Sequence, residues 1–282
     1  MKRRIDPNKP KIKIPFGKEY IRIKEIVKEH KLHTICESGN CPNLAECWSA
    51  GTSTFMILGD ICTRSCKFCS VKTGKPLPPD GQEPERIAKS VQLMKLKHCV
   101  LTSVDRDDLE DGGVNFWAEV ITKVRAYNPN ITIETLIPDF DGKEDLLDVI
   151  VSVKPEIVSH NLETVERLTN QIRVKAQYRT SLKALKYLSD NGIVTKSGIM
   201  LGLGEEQQEI ETLMDDLLSV NCRILTIGQY LQPTTNNIPV QKFVSESEFL
   251  DLKKIALNKG FKMVESGSLI RSSYHAEKHI EK

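Results

Sequence analysis

The chain has 282 residues, 39% of them hydrophobic, with 40 basic against 38 acidic residues and a formal charge of +2. That length suits one large domain, or one domain with small extensions, and so balanced a charge gives no global pull toward nucleic acid. No stretch approaches the roughly 18 apolar residues of a membrane span, and the opening MKRRIDPNKPKIKIPF lacks the apolar core of a signal peptide; a cytoplasmic protein free of membrane contact is expected.

In chain order, the first segment is basic and proline-containing, with Lys2, Arg3, Arg4, Lys9, Lys11 and Lys13 among Pro7, Pro10 and Pro15. It reads as a solvated arm, or as one that lies over the domain or meets an acidic partner. Cys36, Cys41 and Cys47 follow in CESGNCPNLAEC. An apolar run at 55–58 (FMIL) then predicts a strand, and directly after it come Cys62, Cys66 and Cys69 in CTRSCKFC. Six of the eight cysteines thus fall between residues 36 and 69. A cubic iron–sulfur cluster is usually held by four thiolates. Two triplets therefore suggest two clusters, each with one iron left for another ligand.

Other uses of these thiols fit less well. A disulfide framework belongs to small secreted chains. A structural zinc site favours two Cys-x2-Cys halves, and only Cys66 and Cys69 form such a pair. A thioredoxin-like dithiol would need neither Cys62 nor the upstream triplet. Cys99 and Cys222 lie in or beside apolar runs and read as buried core thiols.

Beyond Cys69 short apolar runs alternate with charged, helix-patterned stretches. The runs are 55–58, 99–104, 131–137, 157–160, 193–203 and 224–231; the helices are expected at 85–96, 115–127, 144–153, 180–191, 205–220 and 246–259. Strands alternating with helices imply βαβ units and a parallel sheet. Six units are too few for an eightfold barrel. The expected fold is α/β: a partial (β/α)6, TIM-like barrel, with N- and C-terminal extensions covering one face. Three regions follow: an arm with the first triplet (1–50), the barrel (51–260) and a C-terminal extension (261–282). In such barrels active groups gather at the C-terminal strand ends, and the Cys62 triplet follows the first strand. Glu134, Lys196 and Gln229 interrupt the apolar pattern of their strands and need polar partners. GLGE at 202–205 lacks the spacing of a dinucleotide loop and reads as a turn into a helix.

CTRSCKFC, with Phe68 before its last cysteine, resembles the radical S-adenosylmethionine (SAM) superfamily. The upstream triplet together with RSSYHA at 271–276 narrows the resemblance to lipoyl synthases, and HNLETV (160–165), TKSGIMLGLGE (195–205) and ILTIGQYLQP (224–233) extend it. It runs from about residue 30 to about residue 277. The resemblance implies that Cys62, Cys66 and Cys69 hold a 4Fe-4S cluster whose open iron binds S-adenosyl-L-methionine. It also implies that Cys36, Cys41 and Cys47 hold an auxiliary 4Fe-4S cluster, with a serine as fourth ligand: Ser273, or failing that Ser272. Oxygen suits such an iron less well than thiolate, so this iron is expected to be labile. The implied activity is radical insertion of two sulfurs, taken from the auxiliary cluster, at the sixth and eighth carbons of a protein-bound octanoyl-lysine. No residue is expected to act as an acid or base. Strand-end position and the resemblance together suggest Thr102, Ser103, Asp105, Asn161, Arg173, Lys196 and Gln229 for the SAM pocket. The implied partners are octanoylated lipoyl carrier domains (2-oxoacid dehydrogenase E2 or glycine cleavage H protein), a flavodoxin or ferredoxin donor, and an iron–sulfur carrier. A biotin-synthase-like enzyme would place cluster cysteines along the barrel strands, where this chain has only Cys99 and Cys222. A simple electron carrier would saturate every iron with cysteine.

Overall fold

The computed structural model describes residues 6–11, 17–39, 41–49 and 53–279. The expected basic arm falls largely outside them: Lys2, Arg3, Arg4, Lys13 and Pro15 are not among the described residues. The strands are β1 (His33–Thr34), β2 (Thr54–Ile57), β3 (Ile61–Cys62), β4 (Lys72–Thr73), β5 (His98–Ser103), β6 (Thr132–Leu136), β7 (Ile157–Ser159), β8 (Val194–Leu201), β9 (Ile224–Gln229) and β10 (Met263–Gly267). The helices are α1 (Lys18–Glu29), α2 (Ile35–Ser38), α3 (Leu44–Ser49), α4 (Glu83–Met94), α5 (Val114–Tyr127), α6 (Glu144–Ser152), α7 (Glu166–Ile172), α8 (Tyr178–Asp190), α9 (Gln207–Ser219) and α10 (Glu246–Lys259).

Sequence chemistry explains the helix ends. α4 starts with Pro84 in its first turn, where a missing N–H costs nothing, and with Glu83 and Glu85 at its positive end. α10 opens with a reciprocal capping box: the Ser245 hydroxyl accepts from the Glu248 N–H, while the Glu248 carboxylate accepts from the Ser245 N–H. It stops at Gly260, whose φ of 121° disfavours any side chain.

The main sheet runs β1-β2-β5-β6-β7-β8-β9-β10. All its pairings are parallel except β1 with β2. β1 and β10 do not pair, so the sheet curls without closing. Side chains alternate across it. One set, including Phe55, Ile57, Leu101, Val158, Leu225 and Ile227, is buried among the apolar core residues. The opposite set, facing the lumen, mixes apolar residues such as Met56, Val100, Ile157 and Ile224 with Glu134, Ser159, Lys196 and Thr226 and with two glycines, Gly198 and Gly228. Among the described residues no helix is long and apolar enough to cross a membrane.

The six expected strand–helix units are all present, with ends shifted by a few residues. The sheet also continues past residue 260. β10 adds a further parallel strand, but its MVESG carries a charge at an edge and gives only a weak apolar signal. β1 and the seven-residue α7 are too short to show a period. The chain then returns into the lumen. A Cβ on Gly228 would lie 2.2 Å from the Ile270 carbonyl oxygen, so that strand can approach the returning segment only as glycine. Gly228→Ala is expected to cost about 1–3 kcal/mol by overpacking and to lower the thermal midpoint by roughly 3–10 °C. An unchanged midpoint in a calorimetric scan would show that the tail does not pack there.

Candidate active site

Cys62 ends β3, which pairs in parallel with β4, and the loop between these two strands carries Cys66 and Cys69. That loop is pinned from two sides. Lys67 N–H donates to the Ile172 carbonyl at the end of α7 (2.9 Å), and the Asn237 amide donates to the carbonyls of Lys67 (3.2 Å) and Cys69 (2.9 Å). The sulfurs accept backbone N–H groups: Cys62 from Arg64 (3.4 Å) and Asp105 (3.3 Å), Cys69 from Val71 (3.4 Å). Burial pushes the Cys62 thiol up to about 12 and that of Cys69 to about 11. Bound iron reverses that preference, because coordination deprotonates the thiol outright.

Glu83 supports this site from below. Its carboxylate accepts the Leu58 N–H (2.8 Å), where φ is +67° and the chain turns from β2 toward Cys62.

Two buried guanidiniums flank the triplet. Arg64, between the first two cysteines, donates to Asp107 (2.9 and 2.8 Å) and lies 3.3 Å from Asp105 and 3.5 Å from Asp139. Burial alone would lower its pKa, but the Asp107 bonds and the three carboxylates drive it up. Arg173 donates to the Ser181 hydroxyl (3.0 Å), which donates to His160 Nε2 (2.8 Å), and His160 Nδ1–H donates to the Ile137 carbonyl (2.8 Å). Burial and the Arg173 charge hold His160 neutral, so one tautomer fixes the arginine. Glu163 takes a left-handed φ of +68° while its N–H and C=O pair with Gly198 and Met200. Its carboxyl is pushed up by burial, opposed by Arg173 and by a hydrogen bond with Asn161.

The expected SAM-pocket residues divide. Asp105 touches Cys62 through both backbone and side chain, and Arg173 and Asn161 group with Glu163. Thr102 is buried with its hydroxyl on the Leu136 carbonyl, and the Ser103 hydroxyl is buried without a partner. Lys196 and Gln229 are engaged by partners within the chain. Lys196 Nζ is committed to Glu134 (2.7 Å) and His279 (3.1 Å). The Gln229 amide serves the backbone of Leu201, Tyr230, Lys242 and Val244, fastening a loop. Asp139, His160 and Glu163 are legible in the sequence only as polar residues at strand ends; sequence reasoning missed Arg64, a cation between two closely spaced cysteines, and Ser181. The GLGE turn holds no phosphate: its N–H groups at Gly202, Leu203 and Gly204 are taken by the Glu205 carboxylate.

Cys36, Cys41 and Cys47 line a separate cavity of about 280 Å³, together with Ser273, Arg271 and Tyr274. Ser53, Thr54, Lys97 and His98 also line it, which sets it at the N-terminal ends of β2 and β5, opposite the Cys62 triplet. The two extensions meet here. The Asn43 amide donates to the Leu269 carbonyl (2.7 Å), and the Tyr274 hydroxyl to Glu46 (2.8 Å). Adjacent serines part company: Ser273 faces the cavity, while the Ser272 hydroxyl accepts from Asn161 (2.7 Å) inside the lumen. Burial pushes Cys36 to about 11, opposed by the Thr54 N–H; the buried Trp48 indole N–H has no hydrogen-bond partner among the described residues. Burial likewise raises Cys41, opposed by the N–H of Asn43 and the charge of Arg271. N–H donors aimed at sulfur and a nearby cation fit an anionic thiolate cluster. A lone zinc ion needs all its ligands about 2.3 Å from one point, and among the described residues no three acidic, His or Cys side chains gather so.

Residues 56–217 match the model of the radical SAM superfamily. Along nearly its whole length the chain is similar to curated lipoyl synthases: 57% identical to that of Treponema denticola, over 97% of this chain and 94% of the other. It is 55% identical to that of Phocaeicola vulgatus, covering 98% and 97%. The chain belongs to the lipoyl synthase family. The mitochondrial lipoyl synthase of Nematostella vectensis is also 55% identical, covering 97% of this chain and 96% of that one. Among solved structures, methylornithine synthase shares the fold at a TM-score of 0.57 with 14% identity, covering 79% of this chain and 73% of the other. The hydrogenase maturase HydG does so at 0.60 with 13% identity, covering 78% and 60%. Members of this family hold two 4Fe-4S clusters and SAM, and this chain carries two separated groups of three cysteines.

The Glu83 contact gives this family member a pH signature. Burial raises its carboxyl from the ordinary 4.5 to about 7. The folded state therefore holds the proton more tightly than the unfolded one. The resulting stability is complete below pH 4.5 and fades as pH rises through 7. At 1.36 kcal/mol per pKa unit the loss is at most about 3 kcal/mol. Urea titrations at pH 5 and 8 should show a smaller pH dependence for Glu83→Gln than for the parent; equal dependences would remove Glu83 as the cause.

Proposed function

We propose a division of labour between the two cysteine sites of this lipoyl synthase. The observation that carries it is the meeting of Cys36, Cys41, Cys47 and Ser273 around one cavity at the barrel end opposite Cys62, Cys66 and Cys69. Cys62, Cys66 and Cys69 hold the SAM-binding cluster; Cys36, Cys41 and Cys47 hold the auxiliary cluster, with Ser273 as its oxygen ligand. When bound, these groups supply a 5′-deoxyadenosyl radical and the two sulfurs that replace hydrogen on the octanoyl chain.

The protein's own residues supply position, charge and dryness. Arg173, fixed through Ser181 and His160, meets the SAM carboxylate. Glu163 and Asp105 face its amino and sulfonium charges, and Asn161, Thr102 and Ser103 line the same end of the lumen. Arg64 draws Asp105, Asp107 and Asp139 together and thereby presents Asp105 to Cys62. The backbone N–H groups on Cys62 and Cys69 stabilise negative charge on the sulfurs and so set the cluster potential. Burial keeps water from the reactive carbon. The substrate is an octanoylated carrier protein. We assign E2 and glycine cleavage H domains as the carriers, a flavodoxin or ferredoxin as the electron donor, an iron–sulfur carrier for rebuilding, and the cytoplasm as the site of action.

The test is anaerobic: reconstituted protein, dithionite, SAM and an octanoyl-lysine peptide, read by peptide mass. The expected result is a gain of one and then two sulfurs with 5′-deoxyadenosine released. Ser273→Ala should cut sulfur insertion at least about 100-fold while 5′-deoxyadenosine still forms, and Ser272→Ala should cost less. Two full clusters and parental product formation in Ser273→Ala would sink the serine-ligand reading.

A further inference from the structure

One polar cluster in the lumen has no part in the chemistry above. Glu134 on β6 and Lys196 on β8 are 1% and 0% exposed and meet at 2.7 Å. The Ser159 hydroxyl donates to the same carboxylate oxygen at 3.0 Å. Burying such a pair is expensive: desolvation commonly exceeds the Coulombic gain, and apolar residues of equal volume often serve a fold at least as well. The pair therefore calls for a use beyond packing.

Its remaining contact supplies one. Lys196 Nζ also donates to Nδ1 of His279 at 3.1 Å, 83 residues further along the chain. His279 closes the 3-10 turn Ala276–His279 and is itself buried, at 4% exposure. Because Nδ1 accepts this bond, Nε2 carries the ring proton. His98 Nε2 lies 4.0 Å from the other oxygen of Glu134, and burial together with the Lys196 charge holds that ring neutral. Between this anchor and the ties at Leu269, Ser272 and Tyr274, the tail is fastened on both sides of Ser273. Asn43 and Glu46 reach it from the same segment that carries the auxiliary cysteines, whereas Asn161 and Lys196 reach it from the barrel wall.

We propose that Lys196, held by Glu134, is a positioning residue for the auxiliary site: it anchors His279 and so keeps Ser273 against Cys36, Cys41 and Cys47. The proposal rests on the reading of Ser273 as a cluster ligand. An alkoxide is a poorer ligand than thiolate for such an iron. Its residence there depends on how firmly the backbone presents it, because an ordered ligand loses less entropy on binding. With His279 released, the side of Ser273 toward the C-terminus would be left to the exposed Tyr274–Glu46 bond.

The test uses the full chain, reconstituted with both clusters, in four forms: parent, His279→Ala, His279→Gln and Ser273→Ala. Gln can accept the Lys196 hydrogen bond and serves as the rescue; a shared thermal midpoint establishes that each variant is folded. Two quantities are read: hydrogen exchange of the amides at 274–279, and the rate at which one iron per chain passes to a chelator under anaerobic conditions. His279→Ala is expected to speed both by about tenfold, Ser273→Ala to speed iron loss alone, and His279→Gln to restore parental values. Unchanged exchange in His279→Ala would overturn the anchor. Faster exchange with unchanged iron loss, while Ser273→Ala does lose iron, would overturn the positioning role and leave the ligand reading standing. Parental iron retention in Ser273→Ala would instead sink the ligand reading, and this proposal with it.

Discussion

A parallel sheet that curls but does not close must find something other than itself to fill its interior. Eight strands fill a barrel with layers of their own side chains. Here β1 and β10 stay apart, and the lumen-facing side chains of the sheet include two glycines, Gly198 and Gly228, beside Thr226 and the polar residues Glu134, Ser159 and Lys196. The returning C-terminal segment occupies that space, so near Gly228 that a methyl group would collide with the Ile270 backbone. Much else follows from this one packing choice. It brings residue 273 beside residues 36–47, and it sets Ser272 and Ser273 on opposite sides of one strand of chain.

The two ends of the lumen solve the problem of buried charge differently. At the Cys62 end, Arg64 gathers three carboxylates and Arg173 is steered through Ser181 by a neutral histidine, so fixed charges of both signs surround the triplet. At the auxiliary end the thiols are offset chiefly by N–H groups and by Arg271. Thiolates that accept several N–H bonds are held rigidly and kept negative. These three thiols come from one short segment of chain, so their spacing is kept by the chain itself.

Between the two ends lies the Glu134–Lys196 pair, which joins the wall of the barrel to the tail. Polar residues in strands otherwise read as apolar are visible in the sequence, and their need for partners follows from burial alone. Which partner each finds is another matter. Lys196 met Glu134 and His279, and Gln229 met four backbone groups. A strand residue's side chain points to one face or the other by parity, but its height in the barrel depends on strand register, which a single run of apolar residues leaves open.

The sequence by itself determined the strand–helix alternation, the open parallel architecture and both cysteine triplets. Each triplet spans no more than twelve residues, and over so short a span the chain itself keeps the ligands together whatever the rest of the fold does. The tertiary structure alone decided which serine turns to the auxiliary cavity and that the two triplets lie at opposite barrel ends. It also brought Asp105, Asp107 and Asp139 to Arg64 and joined Arg173 through Ser181 to His160. Those relations join residues tens to hundreds of positions apart, and they are set by sheet register and by how closely one backbone passes another, which residue spacing does not encode.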